Sequence, residues 1–118
     1  MKILSLDSKT TSVWNDYMRC DYARWEVGQE CDVHSHWNAA EVFVFLRGRC
    51  EITVEGEVAI VGAGQTVYVG PEEKHKLKSI GPEPLEMFIL VCPNHSPTHT
   101  FYKEDGTPVP YDRPAPNE

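Results

Sequence analysis

The sequence predicts an all-β fold in which the sheets close into a barrel or stack as a sandwich. Strand-like segments alternate with turn residues through the centre of the chain, and no stretch shows the spacing of a helix. Polar and apolar residues also alternate within segments, which suits strands that turn one face inward. The 118 residues suffice for one domain. We expect it to span residues 1–118, with a barrel core over about 13–93 and an extended arm over 94–118.

Composition and charge narrow the classes of partner and location. The formal net charge of −7 argues against nucleic acid or an anionic membrane as partner, and no apolar run could span a bilayer. Only a short apolar patch precedes Asp7, so we expect no secretory signal and a cytoplasmic location. The 4 cysteines lack CxxC spacing, which argues against a structural zinc site and favours free thiols.

The region over residues 13–25 favours one or two strands whose inward face the alternation does not decide. Two inward sets stay open: Cys20, Tyr22 and Arg24, or Asp21, Ala23 and Trp25. If Tyr22 and Arg24 face the interior, they could orient an anionic substrate. If they do not, Trp25 belongs to the core.

The stretch over residues 28–48 carries two histidines with one residue between them, His34 and His36. In a strand both rings would point to the same face, whereas a helix would set them about 200° apart. After a turn at residues 37–40, a second strand returning antiparallel would bring Glu41 beside the histidines. Imidazoles and a carboxylate together suit a divalent transition metal.

The segment over residues 41–46 is the clearest strand in the sequence. If Glu41 points inward, Phe43 and Phe45 share its face and line the interior. The opposite face is apolar too, with Val42, Val44 and Leu46. An exposed sheet tolerates such a face poorly, so we expect it to pack against another segment or another subunit, as in a homodimer.

The following segments predict a hairpin and then a strand in which lysines alternate with inward residues. Glu55 and Gly56 suit a hairpin turn, and Gly70 with Pro71 suits a second turn. Beyond that turn the lysines at 74, 76 and 78 alternate with His75, Leu77 and Ser79, which places His75 inward. A lone inward histidine is more often a core residue, but beside a histidine pair and a carboxylate we interpret it as a metal ligand.

The last strand and the tail close the chain. Residues 85–92 are apolar on both faces, which predicts a strand at the sheet centre or at a dimer contact, with Met87 as a candidate pocket residue. The proline-rich tail predicts an extended arm with one short strand near residues 99–103. Pro97 argues against a helix that would carry His95 and His99. Two alternatives stay open: surface imidazoles in a turn, which we favour, or acid–base groups at the mouth of the pocket.

Two of these stretches resemble the two motifs of the cupin family. The first motif is a glycine, five residues, HxH, three or four residues, a glutamate, six residues and a glycine. Every position is met, by Gly28, His34, His36, Glu41 and Gly48. The second motif, a glycine followed by PxGxxH and an asparagine, is matched by Gly64 and His75. Three positions depart from it: Pro71 is displaced by one, Glu72 replaces a glycine and Ser79 replaces the asparagine.

The resemblance implies a small β-barrel of two antiparallel sheets with jelly-roll topology, that is, a double-stranded β-helix. It also implies one divalent transition metal inside the barrel, bound by His34, His36, Glu41 and His75. These ligand types suit iron, manganese, nickel, cobalt or zinc. Four protein ligands would leave two positions of an octahedral ion open to a small molecule.

Two classes of function follow from the resemblance. One is a metal-dependent enzyme of dioxygenase, isomerase or lyase type that acts on a small organic molecule. The other is a non-catalytic domain that binds or senses a small molecule, since the fold alone does not fix function. The sequence singles out no catalytic acid or base and shows no helix-turn-helix pattern. The expected substrate pocket consists of Tyr22, Arg24, Phe43, Phe45 and Met87.

Overall fold

The computed structural model of the chain describes residues 1–3, 5–6, 11–95 and 99–110. Within these residues the regular elements are strands: β1 (Thr11–Trp14), β2 (Arg19–Trp25), β3 (His34–His36), β4 (Ala40–Arg47), β5 (Arg49–Val54), β6 (Glu57–Gly62), β7 (Thr66–Val69), β8 (His75–Ser79), β9 (Leu85–Cys92), β10 (His99–Tyr102) and β11 (Pro108–Pro110). In this part of the chain no helix is long and apolar enough to cross a membrane.

The strands form two antiparallel sheets, which confirms the predicted all-β architecture. One sheet has the order β1-β2-β9-β4-β7, and the other has the order β11-β10-β3-β8-β5-β6. From β2 to β10 the chain crosses between the sheets at every connection except the one between β5 and β6. The two sheets therefore face each other as the walls of a double-stranded β-helix.

The expected pairing of the histidine strand with the glutamate strand is wrong. β3 and β4 lie in opposite sheets, because β3 pairs with β10 and β8 while β4 pairs with β9 and β7. Both edges of each strand are thus occupied, and residues 37–39 carry the chain from one sheet to the other. Glu41 approaches the histidines across the interior rather than along one sheet.

The core lies between the two sheets and follows the alternation of the strands. On β4 the predicted inward residues Glu41, Phe43 and Phe45 are buried, while the residues between them are half-buried. On β8 the pattern is strict, with Lys76 and Lys78 exposed and the other three residues buried. The buried apolar cluster comprises Phe43, Phe45, Cys50, Ile52, Val61, Val69, Leu77, Leu85 and Met87.

The structure decides which face of β2 points inward. Ala23 and Trp25 pack against the core cluster, so the second of the two alternatives is the observed one. Tyr22 lies on the other face, where its hydroxyl contacts the carboxylate of Glu86. Arg24, on the same outer face, is exposed and pairs with Glu26 at 3.2 Å.

Two turns place the strands that carry the site. The predicted hairpin joins β5 and β6 through Glu55 and Gly56, both with positive φ (48° and 80°), as in a type I′ turn. Between β7 and β8, Glu72 has a φ of 67° at the position where the family motif has glycine. Its N–H donates to the carbonyl of His36 at 2.7 Å, and this hydrogen bond joins the turn to β3.

The segment expected as an extended arm contributes two strands to the barrel wall. β10 pairs with β3 on one side and with β11 on the other, so the six-stranded sheet extends beyond the expected core. The predicted short strand near residues 99–103 is therefore confirmed. Asn94 anchors the start of the segment by donating from Nδ2 to the carbonyl of Asn15 at 3.1 Å. Residues 111–118 of the expected arm lie outside the described residues.

Candidate metal centre

The four predicted ligands converge inside the barrel from three strands. His34 and His36 come from β3, and His75 lies on β8 directly opposite His34. Glu41 comes from β4 on the facing sheet. All four are buried, and each offers a donor atom within 4.8 Å of the others. The alternation of β3, β4 and β8 explains why four ligand side chains share one interior.

Backbone carbonyls fix the tautomer of two of these imidazoles. Nδ1 of His34 lies 2.8 Å from the carbonyl oxygen of Asp32, and Nδ1 of His75 lies 2.9 Å from that of Glu73. Since a carbonyl only accepts, each Nδ1 carries the hydrogen and donates it. The Nε2 atom of each ring is left with a free lone pair, which is the usual arrangement of a metal-binding histidine.

Four buried polar atoms of this cluster have no hydrogen-bond partner among the described residues: Nδ1 and Nε2 of His36, Nε2 of His75 and Oε2 of Glu41. Oε2 of Glu41 lies against Nε2 of His36 and 3.6 Å from Nε2 of His75, without hydrogen-bond geometry in either case. An unsatisfied buried polar group costs about 1–3 kcal/mol. A divalent metal would accept lone pairs from Nε2 of His36, Nε2 of His75 and Oε2 of Glu41, so the donor set fits such an ion.

The protonation states of the cluster also suit metal binding. Burial, followed by the neighbouring His75, lowers the pKa of His34 to about 4. Burial would raise the pKa of Glu41, but His36 and His75 beside it bring that pKa well below its usual range. The cluster thus offers a neutral imidazole at His34 and an ionised carboxylate at Glu41 at neutral pH, the forms that bind metals.

A further histidine lies against the cluster, and its interpretation as a surface imidazole is wrong. His99 on β10 is the direct partner of His36 on β3, and their ring centroids are 4.2 Å apart. Burial and then the nearby His36 and His34 lower the pKa of His99 to about 3. His95, in contrast, is exposed. The sequence feature that could have indicated an inward His99 was the short strand predicted over residues 99–103, because alternation along a strand turns every second side chain inward.

The expected pocket residues divide into two groups. Phe43 contacts the centre, with its ring centroid 6.0 Å from that of His75, whereas Phe45 and Met87 belong to the packed core. Tyr22 and Arg24 lie on the outer face of β2, so the structure does not bring them to the histidines. On the inner face of that strand lies a cation that the sequence reasoning did not consider, Arg19.

The region over residues 22–92 matches the family model described as "Cupin domain", and the chain belongs to the cupin family. The chain is 33% identical over 70 residues to an uncharacterised protein of Methanocaldococcus jannaschii. That match covers 59% of this chain and 56% of the archaeal protein, so the chain spans little more than half of that relative. A mannose-1-phosphate guanylyltransferase of Salmonella montevideo is 29% identical over 82 residues, with 63% of this chain but 17% of the transferase covered.

Solved structures share the fold. A conserved protein with a double-stranded β-helix domain from Klebsiella pneumoniae superposes with a TM-score of 0.77 at 21% identity, over 84% of this chain and 89% of that one. An RmlC-like cupin family protein from Methanocaldococcus jannaschii gives a TM-score of 0.68 at 20% identity, over 79% and 89% of the two chains. At these identities the likeness shows the fold alone.

Proposed function

We propose that the protein is a metal-dependent enzyme that acts on a small organic molecule, in a reaction of dioxygenase, isomerase or lyase type. The observation that carries the proposal is the set of three buried and unpartnered donor atoms on His36, His75 and Glu41. A purely structural cluster would satisfy such atoms with hydrogen bonds. The donor atoms lie within 4.8 Å of one another, a spacing that one shared metal ion can bridge.

The residues present define what the site would supply. His34, His36, Glu41 and His75 would hold the ion, and four protein ligands leave room for a small molecule on a six-coordinate metal. A bound divalent ion would act there as a Lewis acid toward a substrate oxygen. The ion belongs to the group iron, manganese, nickel, cobalt and zinc, all of which accept imidazole and carboxylate ligands.

The surroundings of the site favour chemistry away from bulk water. Phe43 lies edge-on to His75, and the apolar core begins directly beneath it. Low polarity strengthens the electrostatic interactions between the site and a bound substrate. His99 presents an uncharged imidazole beside His36 and is the candidate for hydrogen bonding or proton transfer to a substrate.

Elemental analysis of the purified protein tests the metal site, with the His34→Ala/His36→Ala double variant as control. We expect about one equivalent of a transition metal in the wild type and none in the variant. Loaded wild type is then incubated with a pool of small metabolites followed by NMR. Turnover that disappears in the variant supports the enzyme, and binding without turnover contradicts it. The absence of metal after reconstitution with each of the five ions would overturn the site itself.

A second candidate is a non-catalytic domain that binds or senses a small molecule. The match to the guanylyltransferase favours it, because a region like this chain occupies 17% of that longer protein as one part among others. The same metal site would then hold a ligand without converting it. The NMR experiment separates the two candidates, since a binder broadens or shifts ligand signals but forms no product.

The outer face of β4 supports the further proposal of a homodimer. Val42, Val44 and Leu46 are half-buried there, next to Phe88 and Leu90 of β9. An apolar stripe of this kind on a sheet is commonly covered by a second copy. Sedimentation equilibrium at micromolar concentration should give twice the monomer mass of 13.4 kDa, and Val44→Glu should shift it toward the monomer. A monomeric wild type contradicts the proposal.

A further inference from the structure

We propose that Arg19 binds a carboxylate of the substrate inside the barrel, beside the metal centre. The proposed substrate is a small acid whose remaining oxygens approach the metal while its carboxylate reaches the guanidinium. This inference rests on the proposed function, because it places the carboxylate relative to the metal.

The register of the five-stranded sheet places Arg19 on the inner face. Arg19 is directly opposite Val91, and Val91 is directly opposite Glu41. Residues that are directly opposite in antiparallel strands point to the same side, so Arg19 and the metal ligand Glu41 share a face. Two strand spacings separate them, which is about 10 Å between Cα atoms. An arginine side chain extends far enough to span much of that distance.

The facing sheet places His99 opposite this position. His99 and His36 are cross-strand partners on β10 and β3. Burial, then His36 and His34, lower the pKa of His99, and the positive charge of Arg19 lowers it further. The interior next to the metal centre is therefore bounded by Arg19 on one wall and His99 on the other. A small molecule that reached the metal from this side would meet both groups.

The guanidinium is buried and held in place, but it keeps donors for a ligand. The side chain of Arg19 is only 11% exposed, its Cζ lies 5.1 Å from the ring centroid of Trp14, and its Nε lies 3.0 Å from Oδ2 of Asp21. Among the described residues, Asp21 is the ion partner of Arg19, and it contacts the Nε side. A guanidinium carries five N–H donors, so the two Nη groups remain for a bidentate carboxylate.

The charge balance favours a carboxylate over a phosphate. Asp21 already offsets the charge of Arg19, and no other residue on β2 adds a cation to the inner face. A single-charged carboxylate matches this setting, whereas the double charge of a phosphate would meet the Asp21 carboxylate nearby. The Cζ atom of Arg19 lies over the ring of Trp14, a cation–π contact that helps to hold the guanidinium in place.

Calorimetric titration of the nickel-loaded full chain tests the inference. The probes are malonate, L-malate and 2-oxoglutarate, which place the second carboxylate at increasing distance, with phosphoglycolate as the phosphate counterpart. Acetohydroxamate, a chelator without a carboxylate, reports on the open metal positions. The variants are Arg19→Gln and Arg19→Lys, and Arg49→Gln serves as a control because Arg49 is exposed on β5. Thermal unfolding and nickel content show whether each variant keeps its fold and its metal.

We expect at least one dicarboxylate to bind the wild type and to bind Arg19→Gln about ten- to a hundredfold more weakly. Arg19→Lys should fall between the two, because lysine keeps the charge but loses the bidentate geometry. Arg49→Gln should match the wild type, and acetohydroxamate should bind all of them equally.

Four results would overturn the inference. Equal dicarboxylate affinity in wild type, Arg19→Gln and Arg19→Lys would show that Arg19 does not bind the acid. Binding of acetohydroxamate without any dicarboxylate would do the same while leaving the proposed function intact. Tighter binding of phosphoglycolate that depends on Arg19 would replace the carboxylate by a phosphate. If acetohydroxamate fails to bind the loaded protein, the metal has no open position, and the proposed function fails together with this inference.

Discussion

His99 and His36 are direct cross-strand partners, and their ring centroids lie 4.2 Å apart inside the barrel. The four donors that converge on one point do not include His99, although its ring contacts one of them. A proposed metal ligand and a proposed substrate-facing histidine thus lie side by side on adjacent strands. The two histidines should respond differently to substitution.

We expect His36→Ala to lower metal affinity by more than about a hundredfold, because changes outside the ligand set already cost about ten- to a hundredfold. His99→Gln should keep one equivalent of metal and lose no more than about ten- to a hundredfold in affinity, since its ring is not among the four donors. Competition with a chromophoric chelator measures both values. His95→Gln is the matched control, because His95 is exposed in the same segment. Equal losses in His36→Ala and His99→Gln would assign His99 to the ligand set instead.

The stability of the metal-free protein should decrease as the pH falls below about 6.5, the pKa of an unfolded histidine. In the folded chain the pKa of His34 is about 4 and that of His99 about 3. Because both values lie below 6.5, the unfolded state binds protons on these two groups that the folded state does not bind. The raised pKa of His75 acts in the opposite direction, but mainly above pH 6.5, because below that pH both states bind its proton. The net loss should amount to about 2 kcal/mol per pH unit between pH 6 and 5, because the unfolded state binds nearly two more protons than the folded state.

Urea unfolding of the metal-free protein at pH 7.5, 6 and 5 measures this dependence. His99→Gln removes one of the two groups and should flatten the curve, while His95→Gln should leave it unchanged. A stability that rises on acidification would show that His75, rather than His34 and His99, dominates the balance.

Gly48 and Gly64 should differ sharply in their tolerance of a methyl group. Both have positive φ, 79° and 87°, which strains any residue with a Cβ. A Cβ at Gly48 would lie 2.5 Å from the carbonyl oxygen of Pro84, whereas a Cβ at Gly64 meets no atom within 4 Å. We expect Gly64→Ala to lower the free energy of unfolding by about 1 kcal/mol, and Gly48→Ala by about 3 kcal/mol or more. Denaturant unfolding measures both, and equal losses would contradict the close approach at Pro84.

Replacing Glu72 by glycine should stabilise the protein by about 0.5 kcal/mol. Glu72 is exposed and adopts a φ of 67°, a conformation that glycine adopts without strain. Its backbone N–H would still donate to the carbonyl of His36. Glu55→Gly is the comparison: φ is also positive there, but Oε1 of Glu55 accepts from the N–H of Lys74 at 3.1 Å, so we expect no gain. A higher melting temperature for Glu55→Gly than for Glu72→Gly would contradict this reasoning.

The sequence alone determined the strands, their inward faces on β4 and β8, and the residues that meet at the centre. The HxH spacing, the inward Glu41 and the lysine ladder that turns His75 inside are all consequences of a repeat of two along a strand. The choice between the two inward sets on β2 stayed open, because both faces of that strand mix residues of different polarity.

Only the tertiary structure decided which strands are neighbours. It placed β3 and β4 in opposite sheets, turned Tyr22 and Arg24 outward, and brought Arg19 and His99 to the interior from the two ends of the chain. The physical reason is that alternation is a local property of each strand, readable from its own side chains. Pairing depends on which distant segments bury the most apolar surface together, and that choice is made by the whole chain.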